Sequence, residues 1–286
     1  MSLPQPDRRR FAAPDGAAPL RYSDSSTSTS SSATASGGLQ TDGTREDGRQ
    51  AGQVRPVFLQ PGLVTEAAGS AYIEAGRTKV ICAVYGPKPT PPSAPFNAKA
   101  RLNVEVKFAP FASGVRRFVP GKDTEATALA TSLQQSLLPS LLLELLPKSQ
   151  IDLFVTVLES DGWDGDLSLG VTSASVALAE AGIAMKGLVV GCSAALISSP
   201  SNPSRTILLD PTRTEVRSSS SFLSFSCMPA LGTVTSLRVT GVLGQETLAE
   251  ALEKAFEVCG QLHGVARQAL VDSAERIKVE QGQEGQ

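Results

Sequence analysis

Residues 69–87 read GSAYIEAGRTKVICAVYGP, two alternating runs around Ala75-Gly76-Arg77. In an extended chain Ala71 and Ile73 fall on one side and Tyr72 and Glu74 on the other, because successive side chains point to opposite faces. After the turn, Val80, Cys82 and Val84 continue the period of two. Gly76 supplies the positive φ that a tight connection needs. The stretch predicts a β-hairpin with one face in a core, and the rest of the chain must provide that core.

Outward from the hairpin, a proline-rich loop (PKPTPPSAPFNAK, 87–99) precedes a third strand. There Leu102, Val104, Val106 and Phe108 alternate with Asn103, Glu105 and Lys107. Asp123 or Thr124 can cap a helix carrying Leu129, Leu133 and Leu137, which Pro139 should kink or restart. Ile151, Leu153, Val155 and Val157 mark a strand over 150–158. A loop, SDGWDGD (160–166), then leads into a helix through VTSASVALAEAG (171–182), whose small residues permit close packing. Strands are expected at 187–196 and 206–210, an antiparallel pair at 221–228 and 233–241, and a last helix at about 245–277 with Leu248, Leu252 and Phe256 on one stripe. Three strands, helix, strand, helix, strands, helix is an α+β order: mixed sheets packed with helices.

Residues 1–50 form a serine-rich tail around SDSSTSTSSSATASGG, too poor in apolar groups to offset its ordering entropy and expected to be disordered. A single domain is expected over 51–278, its halves at about 51–195 and 205–278, followed by a flexible end at 279–286. No transmembrane run is present: the richest apolar stretch, LLPSLLLELL, is broken by Pro139 and Glu144. The first residues, MSLPQPDRRRFAAPDG, lack the apolar region of a secretory signal, and Asp7, Asp15 and Asp24 argue against a transit peptide.

Twenty-six basic and 28 acidic side chains leave a formal charge of −2, so only a local patch can attract nucleic acid. Aromatic residues make up 5% of the chain, which argues against an extended stacking platform. Cys82, Cys192, Cys227 and Cys259 are far apart in sequence and read as small buried hydrophobes of a reducing compartment. With His263 as the only histidine, a zinc site lacks partners, and His263 is expected to be partly buried and structural. No GxGxxG or GxxxxGK[ST] loop occurs. Asp161, Asp164 and Asp166 lack the remaining ligands of a calcium loop and are expected to form an acidic turn. Trp163 beside them is expected to be exposed, either anchoring a partner or folded over its own loop.

The hairpin does not stand alone. REDGR (45–49), Arg55-Pro56, KFAPF (107–111), PKSQIDLFVTVLESDG (147–162), VTSASVALAEAGI (171–183) and LLDPT (208–212) surround it. Together, from about residue 45 to the last helix, the sequence resembles the RNase PH-like ring subunits of the eukaryotic RNA exosome. The resemblance implies the RNase PH fold, of ribosomal protein S5 domain 2-like type, and a place in a six-membered ring around a central channel. It implies as partners the other RNase PH-like ring subunits, cap subunits with S1/KH domains and RNA in the channel. It implies no membrane and no cofactor, and a location in nucleus, nucleolus and cytoplasm.

In prokaryotic relatives some such subunits degrade RNA from its 3′ end with inorganic phosphate as nucleophile. That chemistry needs a cationic or helix-terminal phosphate pocket and carboxylates that hold a metal or act as acid. By the resemblance, the phosphate-holding Thr-Arg pair falls on Asp166 and Leu167, and a catalytic Asp falls on Val216. The second carboxylate position falls near Phe222 or Leu223. An aspartate repels phosphate and a leucine cannot bind it. The implied chain has no catalytic residues and no metal, and supports 3′-5′ RNA processing and degradation by assembling the ring. The alternative is an active phosphate-dependent 3′-5′ exoribonuclease in which Asp210 and Glu215 hold the metal. Without metal, Asp210 would cap the turn before Pro211 and Glu215 would pair with an arginine. Arg116, Arg117 and Lys122, with Lys107, correspond to the channel-facing cations of the family and are the expected RNA contacts; a solvated loop is the bland alternative.

Overall fold

The computed structural model describes residue 45 and residues 47–90, 97–113, 124–199 and 202–284. The serine-rich stretch, residues 91–96 of the proline-rich loop, Arg116, Arg117, Lys122 and Asp123 lie outside these.

The hairpin forms as its alternation dictates. β2 (Gly69–Ala75) and β3 (Thr78–Pro89) pair antiparallel with Ile73 opposite Val80 and Ala71 opposite Cys82, all four buried. An unanticipated short strand, β1 (Val57–Pro61), flanks β2; its burial does not alternate, so no period of two marked it. β4 (Arg101–Phe108) and β5 (Ser149–Glu159) complete a five-stranded sheet of order β1-β2-β3-β5-β4, in which only β4 and β5 run parallel. The parallel pair requires a crossover, and α1 (Thr124–Leu137) lies within it. Leu129, Leu133 and Leu137 bury its inner stripe, and Pro139 ends rather than kinks it, with a 3-10 turn at Leu138–Ser140.

A second sheet of order β7-β6-β8-β9 is antiparallel throughout: β6 (Val190–Ser199), β7 (Asn202–Leu209), β8 (Ser221–Met228) and β9 (Thr233–Gly241). Between β7 and β8 sits the short α3 (Arg213–Ser218). The final α4 runs over Gln245–Glu284, longer than its expected end at residue 277, and seals β6 and β8 with Ala251, Ala255, Val258 and Cys259. Gly260 and Gly264 do not interrupt it.

Both sheets share one helix, α2 (Trp163–Glu180), which packs on β2 and β3 and on β6 and β8. Buried on every side over 165–178, it needs small residues so that strands can approach its backbone. A Cβ added at Gly69 would lie 2.4 Å from the Ala177 carbonyl oxygen, and one at Gly191 would lie 2.6 Å from that of Ser168. Hydroxyls then satisfy amides at the start of β6 and just before it: Thr172 accepts from Gly191 N–H (3.1 Å) and Ser175 from Val189 N–H (2.8 Å). The four cysteines are buried free thiols, and burial pushes that of Cys82 up to about 12. His263 is half-buried.

Two expectations fail at the start of α2. SDGWDGD is not a loop: the helix begins at Trp163, and Asp166 is a buried helical residue rather than part of an acidic turn. Trp163 is half-buried, because Arg238 of β9 lies over its ring at 4.4 Å. The boundary expected at residue 51 also falls inside folded chain, since Arg45 is fully buried.

Candidate functional site

Three arginines from the segment before β1 converge on the end of β7. Arg45 places its five N–H groups on Glu215 Oε1 (2.7 Å) and Oε2 (2.6 Å) and on the carbonyls of Leu209 (2.7 Å), Asp210 (2.8 Å) and Gln53 (3.2 Å). Glu215 Oε2 also accepts from Thr212 N–H at 2.7 Å, capping α3. Arg55 grips Asp210 at two points, Nε to Oδ2 (2.7 Å) and Nη2 to Oδ1 (2.5 Å), and turns Nη1 to Asp161 (3.2 Å) at the end of β5. It thus ties the strand ends of the two sheets together. Arg49 contacts the Asp210 carbonyl (3.2 Å) and carboxylate (3.4 Å) while holding Asp47 (2.7 Å). Asp210 presents its carboxylate from a left-handed backbone, φ +48°, a conformation Asp tolerates better than most residues.

The electrostatics follow from this geometry. Burial alone raises the Asp210 carboxyl, but the hydrogen bonds and charge of Arg55, aided by Arg49, hold it below the usual carboxylate range. Asp161 is the reverse: burial lifts it, and Arg55 and Arg77 offset only part of that. Burial likewise works against the Arg55 guanidinium, yet Asp210 and Asp161 raise it further. A divalent cation does not fit this donor set. Both Asp210 oxygens are committed to Arg55, whose charge lies where the ion would. Among the described residues no three ligating side chains are grouped to hold a metal.

At the first turn of α2, Asp166 donates its N–H to the Gly162 carbonyl (3.1 Å) and accepts Ser160 Oγ–H at Oδ2 (2.5 Å). A buried carboxylate therefore sits where a helix N-terminus would favour an external anion. Leu167 beside it joins the core. A cavity of about 230 Å³ opens nearby, lined by Trp163, Val216, Ser220, Phe222, Arg238 and Thr240. Lys107, on β4, is exposed with its ammonium 2.8 Å from Glu105. The sequence places Arg45, Arg49 and Arg55 in motifs but assigns them no partners, because Glu215 and Asp210, on which they converge, lie more than 150 positions away. The expected arginine for Glu215 is Arg45.

A profile of the 3′ exoribonuclease family, domain 1 (RNase PH), matches residues 53–184. The human exosome complex component MTR3 is 38% identical over 250 residues, spanning 83% of this chain and 88% of that one. This chain belongs to the RNase PH family. Within that family, the Pyrococcus furiosus exosome component Rrp41 is 34% identical over 86% of this chain and 95% of its own length. The crystal structure of rice Rrp46 superposes with a TM-score of 0.67 at 25% identity, covering 79% of this chain and all (100%) of that one. The two sheets and the shared helix are thus the RNase PH fold. The profile ends at 184, just after α2, so the arginine network joins the matched region to the β7–α3 corner beyond it.

Proposed function

We propose that this chain is a non-catalytic structural subunit of the RNA exosome core ring, closest among ring subunits to component six. It supports 3′-5′ RNA processing and degradation by closing the ring with other RNase PH-like subunits, carrying S1/KH cap subunits and lining the RNA channel. The exosome names of its relatives support the ring role. The observation that carries the lack of catalysis is Asp166: a buried carboxylate, bonded to Ser160, in the turn where family resemblance puts the phosphate-holding Thr-Arg pair. Leu167 stands in place of the cation, Val216 and Phe222 or Leu223 in place of the carboxylates, and Asp210 is occupied by Arg55. Arg116, Arg117, Lys122 and Lys107 are the proposed channel contacts, and the nucleus, nucleolus and cytoplasm the proposed locations.

The test is phosphorolysis. Purified chain, alone and with co-expressed ring partners, is incubated with RNA, magnesium and phosphate. No nucleoside diphosphate attributable to this chain is expected. Release that disappears in Asp210→Asn would establish the rival, an active exoribonuclease.

A further inference from the structure

Arg238 has an aromatic ring beneath it and no acid beside it. Its place is fixed, because β9 sets it opposite Ser224 of β8 and its guanidinium lies over the Trp163 ring at 4.4 Å. Stacking of this kind orients the planar fork and leaves its N–H groups at the rim available. Among the described residues none of those groups has an acceptor and no carboxylate pairs with the charge. Arg45, Arg49 and Arg55, by contrast, are each bound to a carboxylate.

Arg238 lines the cavity of about 230 Å³ described above, and the rest of that wall has the opposite need. Ser219, Ser220 and Ser221 also line it, and each hydroxyl donates its hydrogen to a main-chain carbonyl: Val216 (2.8 Å), Leu196 (3.1 Å) and Val242 (2.8 Å). Their oxygens are left able only to accept. The Thr240 hydroxyl on the same wall has no partner among the described residues. Val216 and Phe222 supply the apolar part, and no acidic side chain lines the cavity to repel an anion.

An occupant must therefore bring a negative acceptor to Arg238 and N–H donors to the serines. A phosphate brings acceptors alone and leaves the serine oxygens unmet. A peptide segment containing Asp or Glu brings both, and a carboxylate meets the guanidinium fork at two points. Amides on either side of the acid can serve three successive serines, whereas a chain terminus has amides on one side only. The volume suits one side chain with its flanking amides, being smaller than the about 300–1,000 Å³ of sites for whole small molecules. Trp and Arg are also the side chains that most often carry the energy of a protein contact.

We infer that this cavity docks an acidic peptide segment of a partner protein, with an Asp or Glu carboxylate on Arg238 and neighbouring N–H groups on Ser219, Ser220 and Ser221. None of these groups depends on ring membership, so the site stands apart from the role proposed above.

Random octapeptides displayed on phage are selected on the purified full chain, and enriched sequences are resynthesised with an N-acetyl group, a C-terminal amide and a fluorophore. An Asp or Glu at a shared position is expected. Replacing that acid by its amide, or Arg238→Gln in the protein, should each weaken binding about tenfold. The two changes together should cost no more than either alone, as coupled partners do. If no peptide with a shared acid is selected, or if the two losses add, the carboxylate does not meet Arg238 and the inference is overturned. Displacement of the peptide by inorganic phosphate at matched ionic strength would instead make the cavity a phosphate site. Equal affinity for a peptide whose only carboxylate is a free C-terminus would make it a reader of chain ends. Either result also overturns the assignment.

Discussion

Arg45 and Glu215, 170 positions apart, meet in a two-point ionic contact with 0% and 2% of their side chains exposed. A pair this deep is strongly coupled to the fold, because either charge alone would be left without water. Arg45→Met should destabilise the chain by about 3–5 kcal/mol, read from the urea midpoint. Arg45→Met with Glu215→Leu should recover only part of that loss, because the Leu209, Asp210 and Gln53 carbonyls and the Thr212 N–H each still lose a partner. A single substitution near wild type would show that water reaches Glu215.

The two aspartates on Arg55 predict opposite pH behaviour. Asp210 is depressed when folded, so its contribution is complete above the unfolded value, about 4, and is lost as pH falls through the lower folded value. Asp161 is raised, so it opposes folding once pH rises through its folded value. Asp210→Asn should flatten the acid limb of the stability curve; Asp161→Asn should steepen it. Thermal midpoints collected on the acid side of neutrality decide between these slopes.

Glycine to alanine should act oppositely at different sites. Gly69→Ala and Gly191→Ala each force a methyl to within 2.4 Å and 2.6 Å of α2 backbone, and each should lose about 1–3 kcal/mol or more. At Gly260, inside α4, an added Cβ meets nothing within 4 Å. Gly260→Ala should stabilise by about 0.5–1 kcal/mol through helix propensity alone. Denaturant melts of the three variants test the contrast.

Trp163 is the sole tryptophan, so its emission reports the contact with Arg238 directly. Arg238→Ala should shift the emission to the red as water replaces the guanidinium. Trp163→Ala should destabilise by about 1–3 kcal/mol, less than a fully buried indole, because the ring is half-buried.

Local periodicity made most elements legible. The alternation of β2, β3, β4 and β5 and the leucine stripe of α1 lie within a few residues of one another, and propensity and burial agree there. The start of α2 was misread because Gly162, Gly165 and three aspartates look like a turn, whereas burial between two sheets imposes a helix. Glu215's need for an arginine was readable from its type; its partner Arg45 was not, since no local pattern links residues so far apart. Asp166 and Leu167 could be placed by resemblance, but their burial emerged only from the fold.

That burial gives the shared helix a one-way character. Leu167, 4% exposed, occupies core space between the sheets, and Asp166 beside it is equally enclosed at 1%. Placing Thr-Arg at these positions would drive a guanidinium into a filled interior before any phosphate arrived to receive it. An external anion at the start of α2 would therefore require the helix and both of its covering sheets to repack together.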